Sequence, residues 1–504
     1  MDSGPDDALF PEVLLERVVP DASVIEAGAG IHKRFRLFDP DAVMMVPPSL
    51  DEWLPQAHLS RFIADLVETE LDLTRFYAAY GKAKGQPPYD PRLMVRVLLY
   101  GYCVGVRSSR ELERACVDVV AFRWLAGQQS PDFRSIGRFR KRHLAALGNV
   151  FLEALELCRA AGMVSLGQVA LDGTKVRANA SRRKAMSYQR LTQKQKVLAV
   201  EVSDLLNDAE AIDADEDARF GKDKRGDELP QELARRESRL VKLAAAREQL
   251  EADAAEKARK DAENKARERG DDDDEVTKKG DVAAKNAVVA PTAQRNFTDP
   301  DSRIMKTADG SFHYCYTGQA VVDSVSQVIV VNLLNNVAVD VEQLMPMVEK
   351  TRAMMGVLPN EFLADAGYCS NKNLEYVQTV EETTGGKTEF FIATGRQKHG
   401  DEAAGQSDGP FPANATLREQ MARKLKTVNG AKVYARRKAI VEPVFGQMKD
   451  RQGARHFSMR GLEHCRGEWN LHAAVHNLRK LHSDSVQRAK AVGKRGHERQ
   501  RKVA

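Results

Sequence analysis

Three carboxylates stand where an unpaired acid is costly. Asp172 follows "VAL" in "GQVALDGTKVRA", Asp365 follows "FLA" in "EFLADAGYC", and Glu442 follows "AIV" in "AIVEPVFGQMKD". Each interrupts or ends an apolar run of the kind that forms a core element. A carboxylate beside a core strand must be neutralised by something. A shared divalent cation is one solution, and hard oxygen ligands suit magnesium, which keeps several waters and needs few protein carboxylates. Taken singly, Asp172 in "DGT" and Asp365 in "DAG" read as structural acids ending strands in turns. Together, within one alternating domain, they form a candidate constellation, although spacing alone does not make them converge.

Glu442 has its own logic. Pro443 disfavours helical backbone in the residue before it and is best tolerated in a helix's first turn. Glu442 is therefore expected at a helix start or a kink, where the positive end of the helix dipole favours an ionised carboxylate. Phe445 and Lys449 follow at i+3 and i+7, near the same face. An acid on a metal and a lysine one or two turns away suit a phosphodiester: metal on the reacting oxygens, ammonium on a neighbouring phosphate.

These residues need elements to position them. Up to about residue 165 the chain reads as helical. Asp90 and Pro91 provide an N-cap and a first helical residue, with Leu93, Val97 and Tyr100 at helical spacing. In "SSRELERACVDVVAFRWLAG", Ser108 and Glu111 have capping-box spacing, and Leu112, Cys116, Val119 and Val120 form an apolar stripe. Another long helix runs through "SIGRFRKRHLAALGNVFLEALELCRAAGM", its first turns carrying Arg138, Arg140, Lys141 and Arg142. This pair reads either as a helix-turn-helix DNA reader or as a helical bundle with a basic surface. Phosphate contact by the cluster fits both.

"GQVALDGTKVRA" reads as a strand. From about 186 to 290 the composition shifts to Ala, Glu, Lys, Arg, Asp and Gln. Leu198, Val202 and Leu205, then Leu233, Leu240, Leu243 and Leu250, follow heptad-like spacing. This predicts an antiparallel helical hairpin, followed by a solvated loop at "GDDDDEVTKKGD". β-character returns at "FHYCYTGQAVVD" and "QVIVVNLL", joined by a turn from Asp323, Ser324 and Ser326. A helix from about 341 to 355, strands at "EFLADAGYC" and "EFFIATG", and a mostly helical segment from Met421 to His482 complete the order. Such alternation predicts a mixed sheet covered by helices.

Composition bounds the rest. A chain of 504 residues with 42% apolar content predicts two or three packed domains. No run approaches the roughly 18 uncharged apolar residues of a membrane span. The opening "MDSGPDDALFPEV" is acidic and lacks a basic n-region, so no secretory signal is expected. The six cysteines are scattered without a C-x-x-C pair, which argues against a disulfide framework or zinc ribbon and for a reduced cytosolic compartment. The net charge of +5 is uneven: Ala431–Ala504 holds 18 Lys/Arg against 6 Asp/Glu. That excess suits a polyanionic partner, or a solvated basic tail.

"VALDGTKVRANAS", "FLADAGYCS" and "YARRKAIVEPVFGQMKD" resemble the three catalytic motifs of bacterial insertion-sequence DDE transposases. "DPRLMVRVLLYGYCVGVRSSRELERAC" resembles the helical domain preceding the catalytic domain in many of them, and "TDPDSRIMK" fits as well. The resemblance runs from about Phe35 to His482. It implies a metal-binding triad of Asp172, Asp365 and Glu442. It also implies a third motif of Tyr434, Arg437, Glu442 and Lys449. The arginine-to-glutamate gap is one residue longer than usual, so Lys438 competes with Arg437 for that place. The implied fold is an RNase H-like mixed sheet flanked by helices, at 166–185 and 291–484. It follows an all-helical DNA-binding domain at 1–165, carries a charged helical-hairpin insertion at 186–290 and ends in a basic tail at 485–504.

The implied chemistry is phosphoryl transfer with two Mg2+ ions, Mn2+ substituting, roughly 3.5–4 Å apart. Water cleaves the transposon end, and the freed 3′-hydroxyl attacks target DNA. No covalent protein–DNA intermediate is required, so Tyr434 and Tyr368 are not assigned as nucleophiles. Trp469 and His472 either stack on DNA or pack in the core. The implied partners are terminal inverted repeats, target DNA and further copies of the chain, in the bacterial cytoplasm and on the nucleoid, with no membrane. Two competing readings are an RNase H-like nuclease without strand transfer and a non-catalytic transposase-derived DNA-binding protein. The latter predicts a lost triad acid, and all three acids are present.

Overall fold

The computed structural model describes residues 49–80, 87–181, 184–203, 231–395 and 414–503, the side chains of 231–235, 268 and 492–503 excepted. Leu205 and the side chain of Leu233 lie outside these. The chain divides before Leu54. Ahead of it, Leu50–Trp53 forms one turn of 3-10 helix; the account below concerns the second unit.

That unit opens with seven helices: α1 (Leu59–Thr69), α2 (Thr74–Tyr77), α3 (Pro91–Val104), α4 (Ser109–Asp118), α5 (Val120–Leu125), α6 (Phe133–Arg142) and α7 (Leu144–Ala160). α3 begins as its sequence dictates. The Asp90 carboxylate accepts from the Arg92 N–H at 2.8 Å, and Pro91 fills the first position. It ends on Gly105, whose φ of 86° is the left-handed conformation glycine adopts without strain.

Two helices expected here are each broken. Val119 is extended (φ −111°, ψ 119°) and exposed, so α4 and α5 are separate and the apolar stripe stops at Cys116. The β-branched run Val117–Val119–Val120 weakens a continuous helix. Ser108 is the N-cap of α4, but its side chain makes no cap hydrogen bond, so the expected capping box does not form. The next helix breaks at His143, between α6 and α7.

The remaining elements are β1 (Gln168–Arg177), β2 (Ala185–Ser187), a helix at residues 188–203 (α8), α9 (Gln231–Glu268), α10 (Asp273–Lys285), β3 (Gln294–Asn296), β4 (Arg303–Lys306), β5 (Phe312–Asp323), β6 (Ile329–Asn335), α11 (Leu344–Met355), β7 (Glu361–Ala364), α12 (Asn371–Thr383), β8 (Glu389–Ile392), α13 (Leu417–Lys426), α14 (Val428–Ala435), α15 (Arg437–Asp450) and α16 (Leu462–Val503). A short 3-10 turn, Val341–Gln343, leads into α11.

The main sheet runs β4-β5-β1-β7-β8, with β6 also paired to β5. β5 is antiparallel to β1, β4 and β6, whereas β7 is parallel to β1 and β8 to β7. The fold is thus a mixed sheet flanked by helices, preceded by a mostly helical region. α16 lies so close to β5 that a Cβ on Gly318 would stand 2.5 Å from the Trp469 ring. Only a residue without a side chain fits there. Helical backbone continues through 485–503 as the last part of α16.

The charged insertion has a separate small core of Leu191, Leu198, Leu243, Ala246, Leu250 and Val289. The heptad leucines of α8 and α9 therefore do meet. The expected loop at "GDDDDEVTKKGD" is instead mostly helix. Asp272 caps α10 by accepting from the Glu275 N–H at 2.8 Å, and Asp273, Asp274 and Glu275 fill its first turn. A charge run read as solvating is at this place matched to a helix dipole. Among the described residues no helix is long and apolar enough to cross a membrane.

Candidate active site

Asp172 lies inside β1 rather than at a turn; the strand continues to Arg177. Parallel pairing sets Leu171 beside Ala364, so the next residues on each strand, Asp172 and Asp365, emerge together. β7 stops at Ala364, and Asp365 turns the chain by accepting from the Gly367 N–H at 2.9 Å. Two acids far apart in sequence are thereby neighbours on adjacent strands.

α15 supplies the opposite wall. Arg437 Nη1 donates to Asp172 Oδ2 at 3.2 Å, and its Nη2 stands 4.0 Å from Glu442 Oε1. The Arg437 side chain is only 9% exposed, against 56% for Glu442. Arg437 thus links an acid from the sheet to the acid on the helix. Tyr434 sits beside Arg437 in the field of Asp365 and Asp172, and the half-buried Lys449 feels the Asp172 charge. Burial lowers the Lys449 ammonium below its ordinary range. Lys438 is exposed and outside this contact. Of the two candidates for the arginine place, Arg437 makes the contact.

Glu442 is not at a helix start. It is the sixth residue of α15, with Pro443 inside the helix. The dipole therefore does not explain it; the Arg437 guanidinium is the local positive charge. Pro443 has no N–H to give the carbonyl of Ala439. Gln327 Nε2, from the β5–β6 turn, donates to that carbonyl at 2.9 Å. Gln327 has a φ of 56° and is pinned by His476, which donates to its carbonyl at 2.8 Å, and by Lys480, which donates to its Oε1 at 2.8 Å. A turn residue thus repairs the helix one turn before the proline, beside Glu442.

Sequence reasoning missed a further network. Gln319 Nε2 donates to Asp340 Oδ1 at 2.7 Å, and the Tyr368 hydroxyl donates to Gln319 Oε1. A Cβ on Gly173 would come within 2.7 Å of both Asp340 Oδ1 and Gln319 Nε2. The glycine of "DGT" therefore serves close approach within a strand, not a turn. Asp340 also borders Gly367, next to Asp365. The fully buried Tyr368 hydroxyl is raised well above its ordinary range by burial, so it donates its hydrogen bond as a neutral phenol. The signal was faint: Gln319 alternates with apolar residues in a strand, and Asp340 lies in an unremarkable loop.

A transposase domain, DUF772, matches residues 48–142. A transposase DDE domain matches residues 411–482. The two matches together support an insertion-sequence DDE transposase. No curated protein and no solved structure matches the chain. The second match spans Tyr434, Arg437, Glu442 and Lys449. Asp172 and Asp365 lie outside both matches, so their association with that segment rests on the fold.

DDE domains of this kind use divalent metal ions. Among the described residues of the transposase, no three His, Cys, Asp or Glu side chains already form a metal-holding group; Arg437 stands between Asp172 and Glu442. The donor chemistry nonetheless fits a hard cation. The Asp172 carboxyl is pushed up to about 6 by burial, drawn back by Arg437 and raised again by Asp365. Two crowded acids on adjacent strands are what a divalent ion would relieve.

A pH dependence follows. Below the ordinary value of 3.8 Asp172 is protonated whether the transposase is folded or not. Between there and about 6 the folded protein holds a proton that the unfolded chain has lost. The contribution of this group to stability is thus fully present at low pH and is lost as pH rises through about 6. In metal-free buffer, the stability of wild type relative to Asp172→Asn should fall by about 1–2 kcal/mol from pH 4 to pH 7. Urea midpoints across that range measure it; a difference that does not move with pH refutes it.

The remaining predicted residues divide. Arg138, Lys141 and Arg142 are exposed on α6. Arg140 is separated from them: it turns inward and donates to the Arg107 carbonyl at 2.9 Å. Trp469 and His472 are buried, 1% and 0% exposed, so they pack in the core rather than stack on DNA.

Proposed function

We propose that this transposase cuts DNA at the ends of its element and joins them to target DNA, with Asp172, Asp365 and Glu442 as ligands of divalent metal ions. The observation that carries the reading is the Arg437 contact, which ties Asp172, beside Asp365, to Glu442 across α15. Strand order β6-β5-β1-β7-β8, with the first pairs antiparallel and the last parallel, supports an RNase H-like catalytic domain.

In this reading Asp172 and Asp365 form the inner pair, and the exposed Glu442 closes the site from the helix. Bound there, magnesium or manganese would supply Lewis-acid polarisation of the phosphoryl group and an activated attacking oxygen. Arg437 holds Asp172 in place, and Tyr434 packs against Arg437. Lys449, two turns beyond Glu442, contacts a phosphate next to the scissile one. Gln319, Asp340 and Tyr368 keep the strand ends in register. Arg138, Lys141 and Arg142 contact DNA phosphates outside the site. The transposase acts as a multimer on paired ends.

The test is integration. A labelled duplex carrying one element end is incubated with magnesium and supercoiled plasmid. Joined product, dependent on magnesium, is the expected result. Hydrolysis without joining would replace this reading with that of a nuclease.

A further inference from the structure

A polar cleft of about 870 Å³ lies between the α3–α4 turn, the residues after β1 and the loop before α16. We propose that it holds the sugar–phosphate backbone of one DNA strand leaving the acidic site. This rests on the function proposed above and adds a place of contact apart from the acidic site and from Arg138, Lys141 and Arg142.

The cleft is positively charged. Arg107, Arg140, Lys184 and Arg460 line it, and among its described lining residues Glu111 is the one acid. The Arg107 charge is met by Glu468 at 3.4 Å. Arg140 is only 9% exposed and bonds to neutral groups: the Arg107 carbonyl at 2.9 Å and the Tyr102 hydroxyl at 3.3 Å. Arg460 likewise bonds to Asn179, through its carbonyl at 3.0 Å and its side-chain oxygen at 3.3 Å. Among the described residues no carboxylate forms an ion pair with Arg140, Lys184 or Arg460, although Arg140 also feels the Glu468 charge. The start of α4 also borders the cleft, with Ser108 making no side-chain cap, so its first N–H groups face an anion-favouring space.

The walls are held before any ligand arrives. Arg107 Nη1 donates to the His456 carbonyl at 2.8 Å, and Asn179 Nδ2 donates to the Ser458 carbonyl at 2.8 Å. Guanidinium, ammonium, hydroxyl and helix-start N–H groups are the groups that contact a phosphate backbone regardless of base sequence.

β1 sets the spacing. Asp172 lies in it, and Ala178, just past its end, lines the cleft. Six residues of strand span about 20 Å, or about six nucleotides of one DNA strand. The backbone should therefore meet the cleft about six nucleotides from the phosphate that is cut.

The test uses full-length protein carrying Lys184→Glu and Arg460→Glu, both exposed and outside the acidic site. The probes are a duplex of one element end and an unrelated duplex. The slope of log affinity against log salt should become shallower by about two. Backbone protection about six nucleotides from the cut should vanish, while protection at the cut persists. A change confined to the end duplex assigns the cleft to donor DNA; a change confined to the unrelated duplex assigns it to target DNA; either supports backbone binding. An unchanged slope and footprint with both probes overturns the proposal. Asp172→Asn separates the two ideas: cleavage at the wild-type rate by that variant refutes the acidic site, whatever the cleft does.

Discussion

Asp172→Asn, Asp365→Asn and Glu442→Gln are each expected to abolish end cleavage, lowering the rate by about a thousandfold or more while DNA binding stays measurable. A bound metal contributes several kcal/mol of transition-state charge stabilisation, and each 1.36 kcal/mol is a factor of ten. The substitutions keep the shape of the side chain and replace a charged carboxylate by a neutral amide with one acceptor oxygen. Asparagine at 172 keeps one acceptor oxygen, enough for Arg437 at 3.2 Å but not also for the Gly173 N–H at 2.7 Å. Glu442 is 56% exposed and supports no core, so Glu442→Gln should melt like wild type. Single-turnover cleavage of a labelled end, run beside a binding titration, reads both quantities. A folded variant cutting at the wild-type rate removes that acid from the reaction.

Glu468→Ala should cost about 3–5 kcal/mol of stability, the range for breaking a buried ion pair by deleting one member. Glu468 is fully buried and Arg107 is 7% exposed by side chain. One carboxylate serves both the α3–α4 turn and the loop before α16. It accepts from Arg107 at 3.4 Å, from the Ser458 N–H at 3.0 Å and hydroxyl at 2.9 Å, and from the Met459 N–H at 3.0 Å. Removing it strands a guanidinium and two backbone donors away from water. Loss of an exposed pair such as Arg92–Glu68, with side chains 48% and 46% exposed, should cost less than about 1 kcal/mol. Urea unfolding of the two variants side by side gives the comparison. Equal midpoints would mean that the buried network does not hold these segments together.

Local signals were legible where one residue type acts on its own neighbours. Asp90 and Pro91 start α3, the two β-rich runs around Asp323, Ser324 and Ser326 form the β5–β6 hairpin, and the heptad leucines pair α8 with α9. The errors arose where a second force competed locally. Three valines divided α4 from α5, and an acidic run capped α10 instead of solvating a loop. Pro443 points to a helix start or a kink because its missing N–H ordinarily breaks a helix interior. Gln327, 112 residues earlier, supplies the donor that makes the interior position tolerable, and nothing near Pro443 in the chain announces it.

The amino-acid sequence by itself determined which elements form, and it singled out Asp172, Asp365 and Glu442 as acids in places where acids need a reason. Propensity, capping and periodicity act over a few residues, so they can be read along the chain. The tertiary structure alone decided that Asp172 and Asp365 emerge side by side, that Arg437 and not Lys438 reaches them, and that Asp340 and Gln319 stand behind. Those facts depend on strand register and on how a helix is rotated against a sheet. Both are set by burial summed over the whole core, and no local segment contains them.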